Sequence, residues 1–210
     1  MSDQKLDTTE AAFRACINDQ SEIDCMKFAA AARSVGELYD DIFYGVVAGQ
    51  LKKDIDSSAT TVEKAFLARP DKETLAALMA FEMETLGRDK VRADKKTGTI
   101  GILWAKRAVQ FVSTYLGLLI DKPEQTSGAC ASETYEKVLK PYHSWMVSGV
   151  VSMALSMAPS REQIFEKFGL GPDAAGAEGR VKGFLAVLNS VISQIEKLLE
   201  QHDANFPDTV

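Results

Sequence analysis

The chain has 210 residues, 46% of them hydrophobic and 26% charged, with a net charge of −6. These proportions fit one domain over residues 1–210 with enough chain to bury a large core. The acidic balance excludes nucleic acid as a main partner, because phosphate binding needs a basic face.

Helical periodicity runs through almost the whole chain, and no segment alternates as a strand does. The opening MSDQKLDTTE is too polar for a secretory signal. Spacing predicts a first helix over residues 8–18 and a second, capped by Ser21, through FAAAARSVGELYDDI. Cys16, Cys25 and Cys130 are scattered and form no CxxC pair, so they read as free structural thiols of a reducing cytoplasm.

A third helix is expected over 47–68, stopped by Pro70, with Leu51, Ile55, Val62 and Phe66 as its apolar stripe. Asp54, Ser58, Thr61 and Ala65 share the adjoining edge. Spacing alone leaves Asp54 open between a solvated helix-edge aspartate and a ligand group. A short helix follows over 71–86, and GRDKVRADKKTGT reads as a loop or frayed helix end. The next helix, over 100–120, lines up Trp104, Ala108, Phe111 and Tyr115. Trp104 is either core or a flat apolar face on which a sugar ring could stack.

Ser132 is placed to cap a helix running on through Met157. That helix carries His143 on one face with Leu139, Val147 and Val150, and Trp145 on another. The uncharged stretch 141–160 is long enough to cross a membrane, but His143, five serines, Gly149 and a proline near each end favour a core helix. His143 reads as either a satisfied core histidine or a ligand group. Ser160 and Gln163 have capping-box spacing. GLGPDAAGAEG reads as a flexible loop, and the last helix covers 180–203. The sum is an all-α domain of about eight helices. Those around Trp104 and His143 are apolar on most sides, as helices are that lie centrally or line a cavity.

No GxSxG elbow, P-loop, Rossmann fingerprint or HExxH occurs, and His143 and His202 are the sole histidines. The expectation is therefore no enzyme, no cofactor and no metal.

Three stretches carry a resemblance. GILWAKRAVQFVSTYLGLL contains W-x-K-R; ETYEKVLKPYHSWMVSGVVSMALSMAP contains H-x-W and a closing A-P; DIDSSATTVEKAFLARP runs without a gap from Asp54 to Pro70. From about residue 24 to the C-terminus the chain resembles the glycolipid transfer protein family. The resemblance implies a two-layer helical sandwich that encloses an apolar lipid pocket, collapsed when empty. It implies that Asp54 accepts a hydrogen bond from the N–H of a ceramide amide and that His143 donates to its C=O. Trp104 would carry the first sugar, with Ser58 and Thr61 beside it. Phe111, Leu139, Val151, Leu155, Phe184 and Leu185 would line the chain pocket, and Trp145 would dock at the membrane.

The chain departs from the sugar-binding members at Ser58, Thr61 and Phe206, where those carry asparagine, lysine and tyrosine. The ceramide-phosphate members place arginines where this chain has Ile100 and Trp104, leaving Lys53, Lys106 or Arg107 as other cations for a phosphate. The expected function is non-enzymatic transfer or sensing of a glycosphingolipid or related lipid in the cytoplasm, with transient peripheral membrane contact. The alternative is a lipid-sensing module of the same fold that no longer transfers sugar-headed lipids efficiently. Hydrolysis by Ser58, His143 and Asp54 lacks the sequence context of an activated serine.

Overall fold

The computed structural model describes residues 3–144, 151, 155, 158–171 and 174–208. Among them the helices are α1 (Asp3–Ala15), α2 (Cys25–Ile42), α3 (Gly45–Ala68), α4 (Leu75–Leu86), α5 (Arg88–Ala93), α6 (Gly98–Asp121), α7 (Ser127–Val138), α8 (Arg161–Lys167) and α9 (Ala174–Gln201). Val151 and Leu155 are also helical. Extended pairing among the described residues is limited to the isolated bridges Ile17–Ile23 and Asp24–Thr74.

The fold is an all-α, two-layer sandwich. Helix α1 packs on α2, α2 on α3, α3 on α6, α6 on α9, and α9 returns to α1, while α2 and α6 touch across the core. Helices α4, α5 and α7 lie against α6, and α8 against α2. One cluster of buried side chains runs through these layers from Leu6 to Phe206. No helix among the described residues is long and apolar enough to cross a membrane.

Local chemistry sets several boundaries away from the expected ones. Asp24, not Ser21, caps α2 by accepting from the Lys27 N–H at 2.8 Å, and Ser21 sits in a turn with φ 63°. Helix α4 starts at Leu75 under a Thr74 cap because Glu73 and Thr74 pair with the start of α2, where Cys25 N–H donates to Glu73 O at 2.9 Å. Part of the expected loop over 87–99 forms α5, which buries Val91. Helix α7 starts at Ser127 under a Thr126 cap, five residues before Ser132. Most of the expected loop GLGPDAAGAEG is the first two turns of α9. The Ser160–Gln163 capping box is formed in both directions.

The largest correction concerns the histidine helix. It does not run unbroken from Ser132: α7 ends at Val138, Lys140–Tyr142 form a 3-10 turn, and His143 is extended at φ −106°, ψ 141°. Pro141 supplies the reason, since it has no N–H for a helical bond and its ring clashes with the preceding turn.

Helix α6 is held hard at its start. Its Thr97 cap makes no side-chain capping bond. Instead the buried Glu82 carboxylate of α4 accepts from Gly98 N–H at 2.7 Å, Thr99 N–H at 2.8 Å and the Thr99 hydroxyl at 2.6 Å. An anion at a helix N-terminus meets both the free N–H groups and the positive end of the dipole. A turn later α6 crosses α3 closely enough to need glycine: a Cβ on Gly101 would lie 2.9 Å from the Ser58 carbonyl oxygen. Gly98 faces Ala65 and Gly101 faces Ser58 and Thr61, so the two helices run antiparallel.

Candidate functional site

The antiparallel crossing sets the site. One turn beyond Gly101 on α6 comes Trp104, and one turn before Ser58 on α3 comes Asp54. Tyr39 of α2 ties these levels together. Its buried hydroxyl donates to the Ala108 carbonyl of α6 at 3.2 Å, and burial first, then the Asp54 charge, raises its pKa. Asp54 is thus close enough for its charge to bear on the Tyr39 hydroxyl, and it lies one turn of α3 from the Gly101–Ser58 approach.

Asp54 is exposed at its tip but crowded by protein on one side. Partial loss of water raises its pKa above the ordinary aspartate value, and a 2.8 Å hydrogen bond from Gln50 Nε2 to Oδ1 works against that rise. Ser58 and Thr61 are half-buried beside it. Their hydroxyls donate back to their own helix, Ser58 to Asp54 O at 2.8 Å and Thr61 to Ser57 O at 2.9 Å. With its proton so committed, each hydroxyl oxygen remains able to accept a hydrogen bond.

Trp104 is half-buried and meets three side chains. His143 stacks on it, offset, with centroids 6.2 Å apart and planes 14° from parallel. Tyr142 meets it edge-on at 6.4 Å, and the Arg107 guanidinium lies 4.8 Å from its centroid. His143 is also half-buried. Its pKa is lowered, first by burial and then by the Arg107 charge, so the neutral imidazole prevails at neutral pH. Its Nδ1 lies 3.0 Å from the Tyr135 hydroxyl.

Arg107 lies behind this group, 1% exposed. It stacks 3.4 Å from the Tyr142 centroid and donates from Nη2 to the Phe206 carbonyl at 2.6 Å, while its Nε has no partner. Burial pushes its pKa down to about 10, partly offset by Tyr142 and Asp208. Phe206, at the position where a sugar-contacting tyrosine is expected, is itself buried, with Arg88 against its ring at 5.2 Å. Lys106 points to the other side of α6, where its ammonium meets Gln110 at 3.1 Å and Glu196 of α9 at 3.4 Å.

The expected chain-pocket residues Phe111, Leu139, Leu155, Phe184 and Leu185 are all in the core, and Val151 packs against it. Trp145 lies outside the described residues. The structure thus brings Trp104 and His143 into contact and places Asp54, Ser58 and Thr61 at the neighbouring crossing. Sequence reasoning missed Tyr135, Tyr142, Gln50 and Tyr39. It named Arg107 as a cation for phosphate, whereas the side chain is buried and already bonded. No group of three or more potential metal ligands occurs among the described residues.

Residues 23–170 match the model of the glycolipid transfer protein family. The chain is 30% identical over 151 residues to glycolipid transfer protein 1 of Arabidopsis thaliana, covering 71% of each. It is 25% identical to the glycolipid transfer protein of Aureobasidium melanogenum, covering 95% of this chain and 94% of that one. Its fold resembles that of human ceramide-1-phosphate transfer protein solved in complex with 12:0 ceramide-1-phosphate, with a TM-score of 0.84 and 21% identity. That likeness covers 95% of this chain and 97% of the other.

Proposed function

Because the chain belongs to the glycolipid transfer protein family, we propose that it is a lipid carrier that lifts a ceramide-anchored glycolipid from one membrane and releases it to another. The observation that carries the reading is the stacking of His143 on Trp104 beside the close α3–α6 approach at Gly101 and Ser58, one turn of α3 from Asp54, within an apolar core. An amide drawn out of water loses its solvent partners, and leaving each polar group unpaired costs about 1–3 kcal/mol. Asp54 accepts from its N–H, His143 donates to its C=O, and Trp104 stacks the first sugar. Ser58 and Thr61 accept from sugar hydroxyls. Phe111, Leu139, Val151, Leu155, Phe184 and Leu185 give way to the chains, and Trp145 serves as the membrane anchor.

A neutral sugar suits this headgroup site better than a phosphate. Lys106 is turned away toward Glu196, and Arg107 is buried against Tyr142 and Phe206. The relatives include transfer proteins for glycolipid and for ceramide-1-phosphate. We read the protein as a carrier and not an enzyme. The Ser58 hydroxyl donates to its own helix and His143 Nδ1 faces Tyr135, so Ser58 and His143 are not paired for attack. Three buried thiols without disulfides fit a cytoplasmic setting.

The test is vesicle-to-vesicle movement of fluorescent glucosylceramide and fluorescent ceramide-1-phosphate by the purified protein. Faster movement of the glucosylceramide is expected. Movement of neither lipid, together with no lipid co-purifying by mass spectrometry, sinks the reading. The tied-back Ser58 and Thr61 hydroxyls favour one second reading, a sensor that binds the lipid without transferring it. Retention of glucosylceramide without transfer would single it out.

A further inference from the structure

The turn around Pro141 brings together two side chains that an unbroken helix would hold apart. Eight residues of continuous α-helix would separate Tyr135 and His143 by about 12 Å along the axis. Instead the chain folds back, and the Tyr135 hydroxyl lies 3.0 Å from His143 Nδ1. Tyr135 is fully buried on α7, its ring 5.6 Å from the imidazole and tilted by 44°. Trp104 of α6 stacks on the same imidazole. The histidine is therefore clamped between aromatic groups from two helices.

A neutral imidazole carries one proton on one of two nitrogens, and the nitrogen that accepts a hydrogen bond leaves the other to donate. We infer that Tyr135 is a positioning residue for the lipid amide: its hydroxyl donates to His143 Nδ1, keeps the ring proton on Nε2, and so presents His143 as a fixed hydrogen-bond donor. The inference rests on the reading of His143 as an amide-binding group. It gives the clamp a polarity. An ionised Asp54 only accepts and a tautomer-locked His143 only donates, so the pair fits the N–H and C=O of an amide in a single orientation. A histidine free to exchange tautomers would turn a lone pair toward the amide carbonyl part of the time. A buried phenol suits the task because its hydroxyl donates without adding a charge beside the Arg107 guanidinium.

The experiment reads the His143 ring directly. Long-range nitrogen–proton correlation spectra are recorded on 15N-labelled full-length protein without lipid, with His202→Gln used to assign the two histidines. An unprotonated Nδ1 and a protonated Nε2 are expected, and the reverse assignment overturns the inference. Tyr135→Phe keeps the ring and removes the hydroxyl. In that variant the His143 signals should shift to a mixture of tautomers. The histidine pKa should rise, because the lost bond served only the neutral ring. Affinity for glucosylceramide should fall roughly three- to ten-fold, the worth of one neutral hydrogen bond. A fall in the histidine pKa would mean that the phenol oxygen accepts, and would overturn the inference. Unchanged affinity would overturn the positioning role. If wild-type protein binds no glucosylceramide at all, the carrier reading fails and the role of Tyr135 with it. The ring spectrum, taken without lipid, keeps that failure distinct from a wrong tautomer.

Discussion

Asp54 offers a test in which function and stability should move in opposite directions. Replacing it by leucine removes the acceptor for the lipid N–H, and replacing it by asparagine keeps an acceptor without the charge. A hydrogen bond to a charged group is worth about 1.5–3 kcal/mol against about 0.5–1.5 for a neutral pair. Asp54→Leu should therefore weaken glucosylceramide binding roughly 10- to 150-fold, and Asp54→Asn several-fold, since about 1.4 kcal/mol is a factor of ten. The stability side follows from the raised pKa of Asp54, whose first cause is burial. A carboxyl with a raised folded-state pKa holds its proton more tightly folded than unfolded. Its destabilising effect is absent below the unfolded pKa, grows as pH rises toward the folded pKa, and stays constant above it. At neutral pH neither variant should lose more than about 0.5 kcal/mol of stability, and either should gain relative to wild type between acid and neutral pH. Lipid binding by wild type should weaken as pH falls through the raised Asp54 pKa, because the protonated form no longer accepts on both oxygens. The assays are equilibrium binding of fluorescent glucosylceramide and urea denaturation, each across pH. Binding by Asp54→Leu within three-fold of wild type would refute the assignment. A clear loss of stability would show that the carboxylate serves the fold instead.

Two further substitutions test the frame around the site. Glu82→Ala strips three hydrogen bonds from the buried start of α6 and should cost about 3–5 kcal/mol in urea denaturation; a cost under about 1 kcal/mol would count against the carboxylate as the α6 cap. The Tyr115 hydroxyl is buried without a partner at bonding geometry, its neighbour Ser127 being committed to the Pro159 carbonyl. Tyr115→Phe should leave thermal stability unchanged or raise it by up to about 1 kcal/mol, and a loss of that size would mean that the hydroxyl finds a partner in solution.

Much of the site's address was legible in the sequence because it depends on local periodicity. Ile55 and Val62 are buried on the α3 stripe, with Asp54, Ser58 and Thr61 along its edge, as their spacing requires. The Ser160–Gln163 box could be read from three residues of separation. Other features depend on contacts that no local rule carries. Glu82 caps a helix that begins 16 positions later, and sequence spacing does not say that α4 and α6 meet there. Tyr135 was invisible for a different reason. The apolar periodicity runs on across Pro141, and in a continuous helix Tyr135 and His143 cannot touch. The signal was present: a proline six residues after Tyr135 and two before His143 marks a break, and a break lets the chain leave the helix axis within a few residues. Ser58 and Thr61 show a third limit, since periodicity gives the edge they occupy but not that their hydroxyls bond to the preceding turn.

The two ends of the site are built differently, and that difference says where selectivity resides. On the proposed carrier reading, the headgroup end is fixed before any lipid arrives. Helix α6 is anchored by Glu82, pressed against α3 at Gly101, and pinned through Arg107 to the Phe206 carbonyl. His143 is held by Trp104 and Tyr135. A polar group on such a frame discriminates strongly, because a ligand that lacks its complement leaves it buried and unpaired. The proposed chain end is instead closed, with Phe111, Leu155, Phe184 and Leu185 all buried in the core. If lipid chains enter there as proposed, these side chains exchange core contacts for contacts with methylene groups. Each further methylene withdrawn from water contributes about 0.8 kcal/mol whatever its position along the chain. Such a surface responds to length and bulk and is indifferent to what the headgroup is. On that reading recognition falls on the amide and the first sugar, which the proposal assigns to Asp54, His143 and Trp104. A variant with altered headgroup choice should accordingly come from the α3–α6 crossing, and substitutions along the apolar core should change chain-length preference while leaving the ranking of headgroups as it was.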